Sequence, residues 1–228
     1  MSGGEISPGS ALLEAAARDR GVRVDRLTAD LVVCDDGRRR VAFHGLAGSA
    51  SGKTAHVLCG NDAWLRAHLT RQGLPTVDTA LTGDAEHGWR VAGAVGFPAT
   101  LRVAGEDRAR VAVDEASFHN AWREVVEQET ELPAQVILER RPEGEVVEVA
   151  VVDGRVVAPS RPADAGPLAI RAIAALPGAT YGSVRLVGSP DLVVDTVDLS
   201  LHAWTTPGNP AGPDIAAAIL AAELDTPH

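Results

Sequence analysis

Four short runs rich in β-branched residues, interrupted by one amphipathic helix, occupy the middle of the chain and constrain its fold more than any other stretch. The runs are Ala99–Val103, Ala109–Val113, Val136–Glu139 and Val146–Val152. Each has the length and residue types of a strand packed on a core. Between the second and third runs, Phe118, Ala121, Trp122, Val125 and Val126 recur at helical spacing. That spacing predicts a helix over about Glu115–Gln128 with one face on a sheet. Hairpin, helix, hairpin is the architecture this order implies for Ala92–Ala158, with the remaining chain docked around it.

Charge and composition narrow the function classes. At 228 residues the chain can build one sizeable core or two small lobes. Aromatic residues are only 4%, so Ala, Val and Gly must supply most of the packing. The formal charge of −10 argues against a nucleic-acid partner, because reading a phosphate backbone needs a positive field. No apolar run approaches the ~18 residues of a membrane span, and the N-terminus lacks a basic-then-apolar signal. Cys34 and Cys59 have no metal-ligand spacing and read as buried thiols. A cytoplasmic protein without membrane contact is expected.

The N-terminal part reads as a helix and a small meander. Ser10 is placed to cap a helix over Ala11–Arg20, ended by Gly21. Strands follow over Val22–Leu27, Leu31–Cys34 and Arg38–Phe43, with the Asp35-Asp36-Gly37 turn before the last. Next comes Ala47-Gly-Ser-Ala-Ser-Gly52-Lys53-Thr54, which fits a loosened phosphate-loop pattern, with Lys53 placed to reach a phosphate at a helix start. The segment ahead of it is a meander rather than a strand–crossover unit, so a flexible turn opening a helix is the competing reading. Asn61 or Asp62 caps a further helix, Ala63–Arg71, whose apolar side is expected to hold Trp64, Leu65, His68 and Leu69. Gly73-Leu74-Pro75 stops that helix and leads into a short strand at Val77. A helix around His87–Val95 and the Gly96-Phe97-Pro98 segment lead to the first central run.

In this order the segments Asn61–Pro75, Gly96–Gly105, Val136–Pro162 and the stretch from Ala169 resemble the ATP-grasp superfamily, in particular the cyanophycin-synthetase and glutathione-synthetase-like carboxylate–amine ligases. The resemblance runs from about Leu12 to Leu224. It implies an α+β, ATP-grasp-like two-lobe fold with a small N-terminal α/β segment. The implied division is 1–60 for the N-terminal helix and meander, 61–158 for the central lobe and 159–228 for a shortened C-terminal lobe. Members of that family clamp ATP between lobes, form an acyl phosphate on a carboxylate and let an amine attack it.

Such chemistry gathers several anions, so cations and magnesium must offset their repulsion. The resemblance places Arg102 where the family's strand lysine meets phosphate, and Arg66 as the nearest cation on the helix after Asp62. Glu139 lies where adenosine is held, and Arg161 within Arg161-Pro162-Ala163. Asp198 is the candidate magnesium ligand, with Asp195 one residue off the required side of the strand. Departures accompany these matches. Ala63 replaces the first lysine, Glu106 and Asp107 enter the lid, and Glu148 replaces an arginine. Arg185 stands where a magnesium carboxylate belongs and is placed to neutralise Asp195 or Asp198. The long insert after Arg161-Pro162, which in the family carries catalytic residues, is absent.

The leading expectation is therefore a degenerate ATP-grasp-like protein without catalytic residues or cofactor of its own. It would serve as a structural or regulatory partner, as a homodimer or beside a full-length ligase. The first alternative is a minimal ATP-dependent carboxylate–amine ligase that uses ATP and Mg2+ and works with a partner chain. The second is a phosphate-loop-type nucleotide-binding protein using Gly52, Lys53 and Thr54.

Overall fold

The structure is a computed structural model that describes residues 6–49, 51–103, 109–126, 135–140, 142–158, 163–188 and 190–225. It divides into two compact units that are not consecutive in sequence. One comprises residues 1–56, 147–186 and 197–228, the other 57–146 and 187–196.

In chain order, helix α1 (Pro8–Asp19) leads to the meander β1 (Arg23–Arg26), β2 (Leu31–Asp35) and β3 (Arg40–His44). The short α2 (Lys53–Cys59) precedes α3 (Asp62–Arg71), β4 (Asp78–Thr82) and α4 (Ala85–Val95). Then come β5 (Ala99–Val103), β6 (Ala109–Ala112), α5 (Glu115–Val126) and β7 (Val136–Arg140). The chain continues through β8 (Glu145–Val152), β9 (Arg155–Val156) and α6 (Ala165–Ala175) to β10 (Tyr181–Gly188) and β11 (Val193–Asp198). It ends with a 3-10 turn at His202–Trp204 and α7 (Gly212–Asp225).

The first unit is organised around α1 and α7, whose apolar faces share one core with the meander. Leu13, Phe43, Leu46, Ile215 and Ile219 are buried in it. The cap of α1 is Ser7 rather than Ser10, its hydroxyl accepting from the Ser10 N–H at 3.4 Å. Proline at N1 needs no hydrogen bond there, so the helix starts earlier than expected. The three strands order β1-β2-β3, all antiparallel, and a four-stranded sheet orders β11-β10-β8-β9. Cys34 is buried here; desolvation, with the Glu14 carboxylate adding to it, pushes its thiol up to about 11. It is therefore a packed apolar group rather than a nucleophile.

In the second unit, β4, β7, β5 and β6 form an antiparallel sheet in the order β4-β7-β5-β6. The hairpin of β5 and β6 and the helix α5 between it and β7 are as the sequence predicts. The second hairpin is not: β7 lies between β4 and β5, while β8 pairs within the other sheet. The strand that fills the place next to β7 is β4, over Asp78–Thr82. The sequence placed a short strand at Val77, just ahead of it; β4 itself, with Asp and three Thr or Ala, carries too weak an apolar signal to set its extent.

Period-two alternation divides the faces of this sheet. Leu101, Val103, Val136 and Leu138 sit on one face in a core with Phe118, Ala121 and Val125 of α5 and Ala92 of α4. Trp89 of α4 stacks against Phe97 and Phe118, with ring centroids 5.6 and 5.5 Å apart. Gly88 permits the close approach of α4, because a Cβ there would lie 2.9 Å from the Trp122 ring and 3.1 Å from Thr82. The residues between, Thr79, Thr100, Arg102, Ile137 and Glu139, belong to the opposite face. That face is where charges meet.

Candidate functional site

Register brings the first contacts together. Glu139 on β7 pairs across to Thr79 on β4 and to Thr100 on β5. Facing side chains on adjacent strands are near neighbours, so Glu139 has polar groups on both sides. Helix α3 contributes Arg66 to the same place. Asn61 caps this helix through its side-chain oxygen, which accepts from the Trp64 N–H at 3.1 Å. That cap sets the helical phase, so Ala63, Leu65, Arg66 and Leu69 are buried while Trp64 is left 49% exposed. The expected apolar side held Trp64 and omitted Arg66; the two have exchanged roles.

Arg66 is almost completely buried and engages four protein oxygens. Its Nε donates to the Asp195 carbonyl at 3.0 Å and its Nη2 to Asp195 Oδ1 at 2.8 Å. Its Nη1 donates to Glu139 Oε2 at 2.6 Å and to Thr79 Oγ1 at 2.8 Å. Thr79 in turn donates its hydroxyl proton to the Val77 carbonyl at 2.9 Å. Arg102 on β5 reaches Glu139 Oε2 at 3.6 Å and makes a short ion pair with Asp62. The five groups form an alternating chain: Asp195, Arg66, Glu139, Arg102, Asp62. Side-chain exposure rises along it from 1% for Arg66 and Glu139 to 11% for Arg102 and 22% for Asp62. The inner end is closed to solvent, and the outer end is open.

A guanidinium suits the inner position because its planar fork satisfies several acceptors in fixed geometry and stays charged. Three carboxylates against two guanidinium groups leave one negative charge in excess. A buried carboxylate without a cation would be far more costly, so Arg66 offsets the burial of both Glu139 and Asp195.

Of the residues the sequence singles out, Arg66, Arg102 and Glu139 therefore converge. Arg161 and the lid over 104–108, with Glu106 and Asp107, lie outside the described residues. Asp198 belongs to the first unit and is engaged locally. Its Oδ1 accepts from the Ser200 N–H at 2.8 Å and from the Ser200 hydroxyl, and its Oδ2 from the His202 N–H at 2.7 Å. It thus caps the turn that follows β11. Asp195 has a neutralising cation in Arg66, a partner the sequence did not offer it. Among the described residues, no group of three or more His, Cys, Asp or Glu could hold a metal ion.

The glycine-rich loop differs from a phosphate cradle. The strand before it, β3, is the edge of an antiparallel meander. The Gly48 N–H donates to the Tyr181 hydroxyl at 2.5 Å and the Gly52 N–H to the Gly178 carbonyl at 2.9 Å, so both point into the protein. Sequence reasoning missed Asp62 as the partner of Arg102, Thr79, and the place of Asp195 in the chain of charges. The one readable signal was Arg66 itself, three residues from both Ala63 and Leu69 on a helix.

No protein-family model and no curated protein sequence matches the chain. Solved structures do. The ATP-grasp ligase PsnB, complexed with minimal precursor, Mg and ADP, is 19% identical with a TM-score of 0.59 over 76% of this chain and 62% of that one. The D-alanine–D-alanine ligase from Bacillus anthracis is 15% identical with a TM-score of 0.63, over 78% and 71%. The RimK-domain ATP-grasp protein from Sphaerobacter thermophilus is 19% identical with a TM-score of 0.59, over 72% and 67%. These likenesses show the fold, an α+β, ATP-grasp-like architecture in two lobes. The chain spans about three fifths of the length of the PsnB structures it matches.

Proposed function

We propose that this chain is a minimal ATP-dependent carboxylate–amine ligase that is completed by a partner chain, either a second copy or a full-length ligase. The observation that carries this reading is the convergence of Arg102, Glu139 and Arg66 on one face of the central sheet, in a fold shared with several ligases. Arg102 is the accessible cation of the set and would meet the nucleotide's phosphates. Glu139 and Arg66 lie deeper and hold it in place. Magnesium commonly enters such sites with the phosphates and needs only one or two protein carboxylates. Both oxygens of Asp198 are taken by Ser200 and His202, so it is not assigned to the ion. ATP would supply the phosphoryl group that activates a carboxylate for attack by an amine.

A specific observation favours a second reading. The chain of charges is complete without any ligand, because both arginines already face carboxylates. A protein that kept the fold as a non-catalytic structural or regulatory subunit would have this property. Calorimetric titration with ATP, with and without magnesium, separates the two. Binding that is lost in Arg102→Met and kept in Lys53→Ala supports the ligase. Binding lost only in Lys53→Ala transfers it to the glycine-rich loop. No heat from either the native chain or a variant with Arg102 freed of Asp62 leaves the structural subunit.

A further inference from the structure

We infer that Asp62 is a built-in competitor for the anion site at Arg102, a carboxylate latch that an entering phosphate oxyanion must displace. The inference rests on the reading of Arg102 as the phosphate contact and adds how that site is regulated.

The geometry supports it in three ways. Asp62 is the outermost member of the alternating chain and the most exposed, so it can leave without opening the protein interior. Its partner Arg102 is also held by Glu139, at 3.6 Å, and Glu139 is fixed by Arg66 at 2.6 Å. Arg102 therefore stays in place when Asp62 departs. Without Asp62, the inner four groups are two guanidinium groups and two carboxylates, balanced in charge. With Asp62, the chain ends in a negative charge at the point an oxyanion would approach. An anion and Asp62 cannot both occupy the open side of one guanidinium without mutual repulsion.

The released carboxylate also has a place to go. Asp62 is the first residue of α3, where unpaired backbone N–H groups and the helix dipole favour a negative side chain. Release exchanges one favourable setting for a weaker one. A latch of this kind keeps the site closed to weak monoanions, because only a ligand with several negative oxygens outcompetes a positioned carboxylate.

Pyrophosphate and ATP are the probes, with the full chain as wild type, Asp62→Asn and Arg102→Met. The expected result is that Asp62→Asn binds both probes about tenfold more tightly than wild type, as removal of one competing charge at a charge-assisted contact should give. Arg102→Met should bind neither. Phenylglyoxal labelling followed by peptide mapping gives a readout that needs no nucleotide. Arg102 should be modified faster in Asp62→Asn than in wild type, and pyrophosphate should protect it. Unchanged ATP affinity in Asp62→Asn, with binding still abolished by Arg102→Met, overturns the latch and leaves the ligase reading standing. Faster labelling of Arg102 without binding of either probe overturns the anion site along with the ligase reading. Equal labelling in wild type and Asp62→Asn overturns the latch by itself. Urea unfolding of each variant checks that a loss of binding is not a loss of fold.

Discussion

In the unit built on β4–β7, buried carboxylates meet guanidinium groups; in the unit built on α1 and α7, a buried carboxylate meets hydroxyls. Glu223 of α7 is fully buried, and its Oε1 accepts from the Tyr181 hydroxyl at 3.1 Å. Its Oε2 accepts from the Ser49 hydroxyl at 3.3 Å. Tyr181, also fully buried, accepts in turn from the Gly48 N–H. The loop approaches so closely that a Cβ at Gly48 would collide with the Glu223 carboxylate and lie 2.8 Å from the Phe43 ring. Both networks fix a non-local contact between a helix and chain far away in sequence. They differ in what is left behind when a member is removed. Loss of a guanidinium strands full charges, whereas loss of a hydroxyl strands one donor or acceptor. The first unit thus uses its network to pin a loop, and the second uses its network to tie α3 to the sheet strands β4, β5 and β7.

The largest effect expected from this contrast is that of Arg66→Ala. Two buried carboxylates lose the cation that hydrogen-bonds them both, and the loss of stability in urea unfolding should reach about 3–5 kcal/mol. Adding Glu139→Gln and Asp195→Asn should recover most of it. Recovery would show that stranded charge rather than lost packing is responsible; no recovery would break the comparison.

Tyr181→Phe should have a smaller effect, about 1–3 kcal/mol, since the Gly48 N–H and a Glu223 oxygen each lose one hydrogen bond while Glu223 keeps the Ser49 hydroxyl. It should also change the alkaline limb of stability. Burial, and then the Glu223 carboxylate, raise the Tyr181 phenol above its ordinary value near 10. A phenol held neutral in the folded state stabilises it fully below the unfolded value, and that contribution is lost as pH rises above about 10. Wild type should therefore lose stability over that range more steeply than Tyr181→Phe. Parallel curves would remove Tyr181 from the network.

The smallest effect belongs to Arg110→Ala. Arg110 pairs with Glu124 at 2.6 Å, as close as Arg66 with Glu139, but at 39% and 56% exposure. Its removal should cost less than about 1 kcal/mol by the same urea measurement. Were it to match Arg66→Ala, distance rather than burial would be the controlling variable.

Much of the second unit was legible in its residues because its signals are local. The run at Ala99–Val103 has the alternation of a half-buried strand, Val136–Glu139 is a short apolar run buried throughout, and α5 has its apolar stripe within twelve residues. The extent of β4 was not legible. The strand's place is fixed by pairing with β7, nearly sixty residues later, and its own composition carries little apolar signal. The separation of β7 and β8 into different sheets was equally hidden, since adjacent strands with a short turn read as a hairpin whichever sheets they join.

The candidate site shows the same limit. The sequence could place cations at positions 66 and 102 and carboxylates at 139, 195 and 198. It could not say which would neutralise which. Arg66 finds Glu139 and Asp195 at separations of 73 and 129 residues, and Asp62 finds Arg102 across 40. Propensity and periodicity act over a few residues, so the sequence by itself determined most of the elements, the apolar face of α5 and the acidic balance. Coulomb pairing acts through space between residues that only folding brings together. The tertiary structure alone therefore decided that Arg66 would be buried in place of Trp64, that Asp195 would answer to it, and that Asp62 would stand over Arg102.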